Sequence, residues 1–177
     1  MKIVYLGLGS NLGDRTENIT FALSLLQSSS FICIEKISSF YETSPVGPKQ
    51  GSFYNVAVKA RTVLNPSDLL LFVKQVERIS GRKKTIKWGP RVVDIDILFF
   101  DQTVIDIGVI SDRKHYLVIP HKEIQNRLFV LIPLCEIAGN FVHPVLKQKI
   151  SNILQDKSLT LKRQKVRIIA EPYNGKA

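Results

Sequence analysis

Asp94 and Asp96 stand two residues apart in VVDIDILFF, a run otherwise built of Val, Ile, Leu and Phe. Alternate side chains of an extended strand share a face, so both carboxylates project together with stems about 6.6 Å apart, while Val93, Ile95 and Ile97 turn to the core. Two hard oxygen donors so placed suit one or two Mg²⁺ ions whose shells are completed by substrate phosphates and water. The pair equally suits a solvent-facing strand surface, where Asp keeps an edge from aggregating. The strand is expected in the interior of a sheet. Between Lys74 and Arg91 lie seven basic residues (Lys74, Arg78, Arg82, Lys83, Lys84, Lys87, Arg91) against one acid, Glu77. A cationic loop beside a diacid repels metal ions unless an anion bridges them, and a metal-bound triphosphate is such an anion. Such clusters are also simply solvated charge; adjacency to the diacid, with Trp88-Gly89-Pro90 fixing the loop, favours the phosphate.

The first turn offers Gly7, Gly9 and Gly13, but GxGxxxG misses the dinucleotide fingerprint by one residue and GxxxxGK[ST] is absent. These glycines read as a tight strand exit, leaving phosphate to side chains and metal. His121, after Pro120, reads either as a helix-cap or surface histidine or, with Arg127, as a second cationic group for a phosphate oxygen. Phe129 with Phe53, Tyr54 or Trp88 could stack a flat heterocycle, although aromatics there also suit the core.

The elements that must position these residues follow from periodicity. Lys2 to Ser10 reads as a buried strand. Asp14 with Glu17 resembles a capping box for a helix whose inner face is Ile19, Ala22, Leu23 and Leu26. Phe31 to Tyr41 and Phe53 to Leu64 read as strands flanking a Pro/Gly loop, Thr43 to Ser52. Asn65, Pro66 and Asp68 open a second helix with Leu69, Phe72, Val73, Val76 and Ile79 inward and Gly81 stopping it. Val92 to Phe100 is a fourth strand. The order βαββαβ implies an α+β fold with a ferredoxin-like split core, an antiparallel sheet with helices packed on it, plus C-terminal additions. Those are a short strand near Leu117 to Ile119, one or two helices between His121 and Gln155, and a last strand at Val166 to Ala170.

With 177 residues, 45% of them hydrophobic, the chain can bury a core without staples, and one domain is expected, its core about 1–145 and a basic, solvated tail about 157–177. A net charge of +10 favours an anionic partner without choosing among nucleic acid, lipid and small phosphates. No apolar stretch reaches about 18 residues and no signal peptide leads the chain, so a cytoplasmic protein with no membrane partner is expected. Cys33 and Cys135 lie in apolar runs and read as buried thiols.

Lys87-Trp88-Gly89-Pro90-Arg91-Val92-Val93-Asp94-Ile95-Asp96-Ile97-Leu98 resembles the signature of the 6-hydroxymethyl-7,8-dihydropterin pyrophosphokinase family. Gly9-Ser10-Asn11-Leu12-Gly13, Ser38 to Thr43, Gly47-Pro48, Phe53-Tyr54-Asn55, Gly81-Arg82, Pro120-His121 and Asn126-Arg127 follow in that family's order, over about residues 3 to 145. The resemblance implies transfer of the diphosphate of ATP to a pterin alcohol in folate biosynthesis. It implies Asp94 and Asp96 on two Mg²⁺ ions, and Arg82, Arg91 and His121, with Lys84 and Arg127, on the triphosphate. Glu77 would line the nucleotide side. Thr43, Ser44, Val46 and Asn55 would bond the pterin edge, Phe53 and Phe129 would sandwich its ring, Asp94 would adjoin it and Trp88 would close over it. The hydroxymethyl oxygen would attack the β-phosphorus and AMP would leave, with the loops at 43 to 52 and 81 to 91 closing over substrate.

The chain departs from this pattern at Lys74 and Tyr116, where a glutamine and an arginine are expected, at Phe53 in place of a frequent tyrosine, and in a loop before Phe53 about one residue short. A monomer that binds no nucleic acid is expected. The rival readings are a single-stranded RNA-binding module, which lacks its aromatic run here and would set two carboxylates against phosphates, and a two-metal phosphodiesterase.

Overall fold

The structure is a computed structural model that describes residues 1–45, 50–82, 89–110, 115–161 and 164–170. Apolar alternation produces β1 (Lys2–Ser10), with Val4, Leu6 and Leu8 buried. Asp14 caps α1 (Arg15–Gln27) by accepting the Glu17 N–H at 3.0 Å, and Ile19, Ala22, Leu23 and Leu26 form its buried stripe. The segment expected as one strand from Phe31 to Tyr41 is two, β2 (Ile32–Ile37) and β3 (Phe40–Thr43). At the break the Ser38 hydroxyl accepts the Ala57 N–H at 2.9 Å, while Ser39 donates its N–H and hydroxyl to the Glu136 carboxylate. Side chains thus satisfy backbone groups that a ladder would have used, and both strands still pair with β4 (Phe53–Thr62).

Asn65 caps α2 (Pro66–Ile79), which buries Leu69, Leu70, Val73, Val76 and Glu77. Each such aliphatic side chain contributes about 1.5–3 kcal/mol when removed from water. Ile79, expected inward, is 53% exposed, because the buried face is rotated to carry the carboxylate of Glu77 instead. The remaining elements are β5 (Asp94–Phe100), a hairpin of β6 (Ile105–Ile110) and β7 (His115–Ile119), a 3-10 turn Ile124–Asn126, α3 (Leu128–Ala138), α4 (Ile150–Thr160) and β8 (Val166–Ala170).

The main sheet runs β5-β1-β4-β3-β8, with β2 also on β4 and every pairing antiparallel. Helices α1 and α2 cover one face over Val4, Leu6, Leu8, Val56, Val58, Ile95 and Ile97. On the other face α3 and α4 pack over Tyr5, Ala57, Leu98 and Phe99. The fold is α+β, as expected. The diacid strand is not internal, however: β5 ends the sheet. Its outer edge is covered by side chains and a neighbouring turn, since Glu77 accepts the Ile95 N–H at 2.7 Å, Lys74 donates to the Ile95 carbonyl at 3.2 Å, and the His121 N–H reaches the Leu98 carbonyl at 3.1 Å.

Two further expectations are corrected. Cys33 is exposed and Cys135 half-buried, both as free thiols; on β2 the inward positions go to Ile32 and Ile34, which turns Cys33 outward. The basic tail is not all solvated: its β8 stretch extends the sheet, and Arg167 donates to Glu42 at 2.6 Å. Among the described residues no helix is long and apolar enough to cross a membrane.

Candidate active site

The register of β1 builds the floor. Gly9 lies between Asn55 on β4 and Asp94 on β5, and Gly7 between Ala57 and Asp96. Gly7 and Gly9 therefore sit inside the strand rather than at its exit, and of the three glycines Gly13, with φ 58°, takes the left-handed turn. Having no side chains of their own, Gly7 and Gly9 let Leu98 and Asn55 lie close over the sheet there. Above it opens a cavity of about 410 Å³ lined by Thr43, Ser44, Phe53, Asn55, Asp94, Asp96, Arg127 and Phe129, among others. That size is ordinary for a small-molecule site. A second cavity of about 360 Å³ is bounded by Leu70, Lys74, Ile95, Tyr116, Leu117, His121 and Lys122. Asp96, Glu123 and Arg127 line both.

A charge cluster borders the first cavity. Asp94 is 2.7 Å from Arg82 and 4.0 Å from Lys74, and Arg91 also pairs with it. Beneath them Glu77, 2% exposed, pairs with Lys74 at 2.6 Å and with Arg82. Three acids, counting Asp96, thus stand among Lys74, Arg82 and Arg91. Burial alone would raise the Asp94 carboxyl, but Lys74, Arg82 and Arg91 outweigh it and hold Asp94 below the usual carboxylate range. Burial pushes Glu77 the other way, upward, with the nearby Asp94 charge adding to it. The two acids are thus pushed in opposite directions, the deeper one upward by burial and the cavity-facing one downward by its three cations.

Asp96 is more open and lies 3.9 Å from Nε2 of His121. Nδ1 of that histidine accepts the Glu123 N–H at 3.2 Å, which places the proton of the neutral ring on Nε2, facing Asp96. Burial lowers the His121 pKa while the Asp96 charge acts against it, and the ring presents its Nε2 N–H toward Asp96.

Asn55 donates to the Thr43 hydroxyl at 2.9 Å, which fixes its amide over the floor. Phe53 and Phe129 both line the larger cavity, and the Arg127 guanidinium stands 5.7 Å from the Phe129 ring centre. The residues expected at the site and described here, Thr43, Ser44, Phe53, Asn55, Glu77, Arg82, Arg91, Asp94, Asp96, His121, Arg127 and Phe129, thus gather around β5 and its two cavities. Val46, Lys84 and Trp88 lie outside the described residues.

Asn11 was not among the residues singled out, yet it joins two loops: its Oδ1 accepts the Arg91 N–H at 2.7 Å and its amide donates to Gln50 at 2.9 Å. Arg15, likewise unforeseen, bonds Ser52 at 2.7 Å, pairs with Glu42 at 3.2 Å and lies 3.6 Å over the Tyr54 ring. An Asn directly after a glycine-bearing strand is a signal for the first; the second has none in local sequence. Among the described residues no group of three or more His, Cys, Asp or Glu forms a metal-binding cluster. Asp94 and Asp96 alone fit a divalent ion only if substrate oxygens and water supply its other ligands, which is the coordination Mg²⁺ prefers.

The family model for 7,8-dihydro-6-hydroxymethylpterin-pyrophosphokinase matches residues 5–139. The chain is 42% identical to the 2-amino-4-hydroxy-6-hydroxymethyldihydropteridine pyrophosphokinase of Aquifex aeolicus over 160 residues, covering 90% of this chain and 94% of the relative. It is 43% identical to the Bacillus subtilis protein of the same description over 136 residues, or 76% and 77% of the two chains. Among solved structures, the wild-type Plasmodium falciparum HPPK-DHPS with pteroate superposes with a TM-score of 0.76 at 18% identity, over 92% of this chain and 45% of that one. That likeness concerns the fold, and the chain spans less than half of that protein. From the diacid strand, the loops around it and these matches together, the chain belongs to the 7,8-dihydro-6-hydroxymethylpterin-pyrophosphokinase family.

Proposed function

We propose that the protein transfers the β,γ-diphosphate of ATP to the hydroxymethyl oxygen of 6-hydroxymethyl-7,8-dihydropterin, releasing AMP, in folate biosynthesis. The observation that carries this reading is the meeting of two cavities at Asp96, Glu123 and Arg127, since a transfer between two substrates needs adjoining sites. The flat pterin suits the glycine floor, with Phe53 and Phe129 against its faces and Asn55, Thr43 and Ser44 at its polar edge. The nucleotide suits the cavity beside α2 and β7, its phosphates reaching Arg82, Arg91, His121 and Arg127.

Mg²⁺ held by Asp94 and Asp96 would neutralise the phosphates and polarise the bond under attack. Two such ions roughly offset the charge of ATP, so the balance of acids and bases around Asp94 survives loading. Arg82 and Arg91, now paired with Asp94, are then free to exchange onto phosphate oxygens, where their charge counts most in the transition state. His121 donates from Nε2. All of these groups come from one chain, so a monomer suffices, and a cytoplasmic setting supplies ATP and keeps Cys33 and Cys135 reduced.

Incubation with ATP, Mg²⁺ and the pterin alcohol tests the reading. AMP released in step with pterin diphosphate supports it. ADP release, ATP hydrolysis indifferent to the pterin, or no turnover beside tight binding of single-stranded RNA rejects it.

A further inference from the structure

Gln164 stands beyond the stretch that the family model matches, which ends at residue 139. Its side chain lines the larger cavity and makes two bonds to one turn. Oε1 accepts the Leu128 N–H at 2.9 Å, and Nε2 donates to the Asn126 carbonyl at 2.9 Å. One amide thus pairs with the backbone at 126 and 128 much as a neighbouring strand would. Leu128 is the first residue of α3, whose opening N–H groups have no partner inside the helix, and Arg127 at the cap position gives no side-chain bond. Gln164 supplies that bond from 36 residues away.

Between the two bonded groups sits Arg127, which lines both cavities, and one residue on is Phe129, which lines the larger. Gln164 is anchored in turn. Its N–H donates to the Leu161 carbonyl at 2.9 Å, and the carbonyl of the next residue, Lys165, accepts the Ser44 N–H at 3.3 Å where β8 meets the end of β3. The same short segment therefore holds the Thr43-Ser44 wall and the Arg127 turn of one cavity.

We infer that Gln164 is a positioning residue for the pterin site: it caps α3 and fixes the gap between the Arg127–Phe129 turn and the Thr43-Ser44 wall. The inference rests on the function proposed above. The test compares full-length wild type, Gln164→Ala and Gln164→Glu for pterin affinity, by the pterin's own fluorescence, for KM and kcat, and for thermal unfolding. Gln164→Ala should weaken pterin binding about tenfold with kcat changed by no more than about threefold, a split that general unfolding does not produce. Its melting point should fall by about 2–4 °C, as loss of one cap does in a chain of this size. Gln164→Glu keeps the acceptor for Leu128 and sets an oxygen against the Asn126 carbonyl, so its affinity should fall between the two. Unchanged pterin affinity in both variants overturns the inference, as does a loss confined to kcat. Wild type that releases no AMP with ATP, Mg²⁺ and the pterin defeats the proposed function instead, and the unmodified protein shows which has failed.

Discussion

Gly9 and Asn55 face each other across β1 and β4 so closely that a methyl group on Gly9 would lie 2.9 Å from the Asn55 side-chain oxygen. Something must shift, and the amide is the movable partner, although its bond to Thr43 holds it. Gly9→Ala should therefore weaken pterin binding by about tenfold or more, equivalent to about 1.4 kcal/mol. Unfolding should hardly change, because alanine is less costly than glycine to order in a strand. A fluorescence titration beside a melting curve checks both, and unimpaired binding would remove Asn55 from the site.

The two aspartates should part company in stability while agreeing in activity. Asp94→Asn and Asp96→Asn are each expected to lower turnover by about 10²-fold or more, and chelation of Mg²⁺ to abolish it in wild type. Asp94, 18% exposed, also balances Arg82 and Arg91, so its loss should cost about 1–3 kcal/mol. Asp96, 37% exposed, should stay within about 0.5 kcal/mol. AMP release and urea denaturation measure the pair of effects, and near-parental turnover by either variant would remove that residue from the metal site.

Glu77→Ala strips three donors of one buried acceptor: Lys74, Arg82 and the Ile95 N–H. Breaking a buried ion pair by deleting one partner costs about 3–5 kcal/mol, and urea denaturation should show a loss of that order. Glu77→Gln keeps an acceptor for Ile95 and should lose less, with kcat falling more than pterin affinity because Arg82 loses its anchor. Equal stability of Glu77→Ala and wild type would refute the buried cluster.

Acid should loosen the junction of β3 and β8. Hydrogen bonds from Ser52 and then Arg167 outweigh partial burial and carry the Glu42 carboxyl from its ordinary 4.5 to about 2. A folded-state pKa below the unfolded one means that the unfolded chain binds the extra proton. This contribution is thus full above about pH 4.5 and lost as pH falls toward 2. Urea midpoints across that window should drop less steeply for Glu42→Gln than for wild type; parallel curves would count against the network.

The strands and helices that carry the site could be read from alternation and caps: β1 and β8 begin and end where the pattern places them, and Asp14 and Asn65 cap the helices expected. The split of β2 from β3 could not, because it depends on Glu136, 97 residues away, accepting the Ser39 N–H. The rotated face of α2 was hidden for a similar reason: hydropathy ranks Ile79 above Glu77, and only the partners Lys74, Arg82 and Ile95 reverse that order. Asp94 and Asp96 were visible as a pair by their spacing, but their place on the sheet's end strand was not, since pairing order leaves no local trace. The β6 segment, with Ile105, Ile107 and Val109 in alternation, carried a readable signal that its Gly108 obscured. Asn11 left a trace, an Asn directly after a glycine-bearing strand, whereas the role of Gln164 arises from the backbone groups of Asn126 and Leu128, which the sequence around it does not display.

The pairing of β8 with β3 joins residues about 125 positions apart, as in the Arg167 to Glu42 bond. On the ribosome β1 through β5 emerge well before this last strand, so a nascent chain can assemble the acidic floor while one wall of the pocket is still being synthesised. Closing so long a loop is slow relative to local folding, so this wall of the pocket is expected to form after the floor.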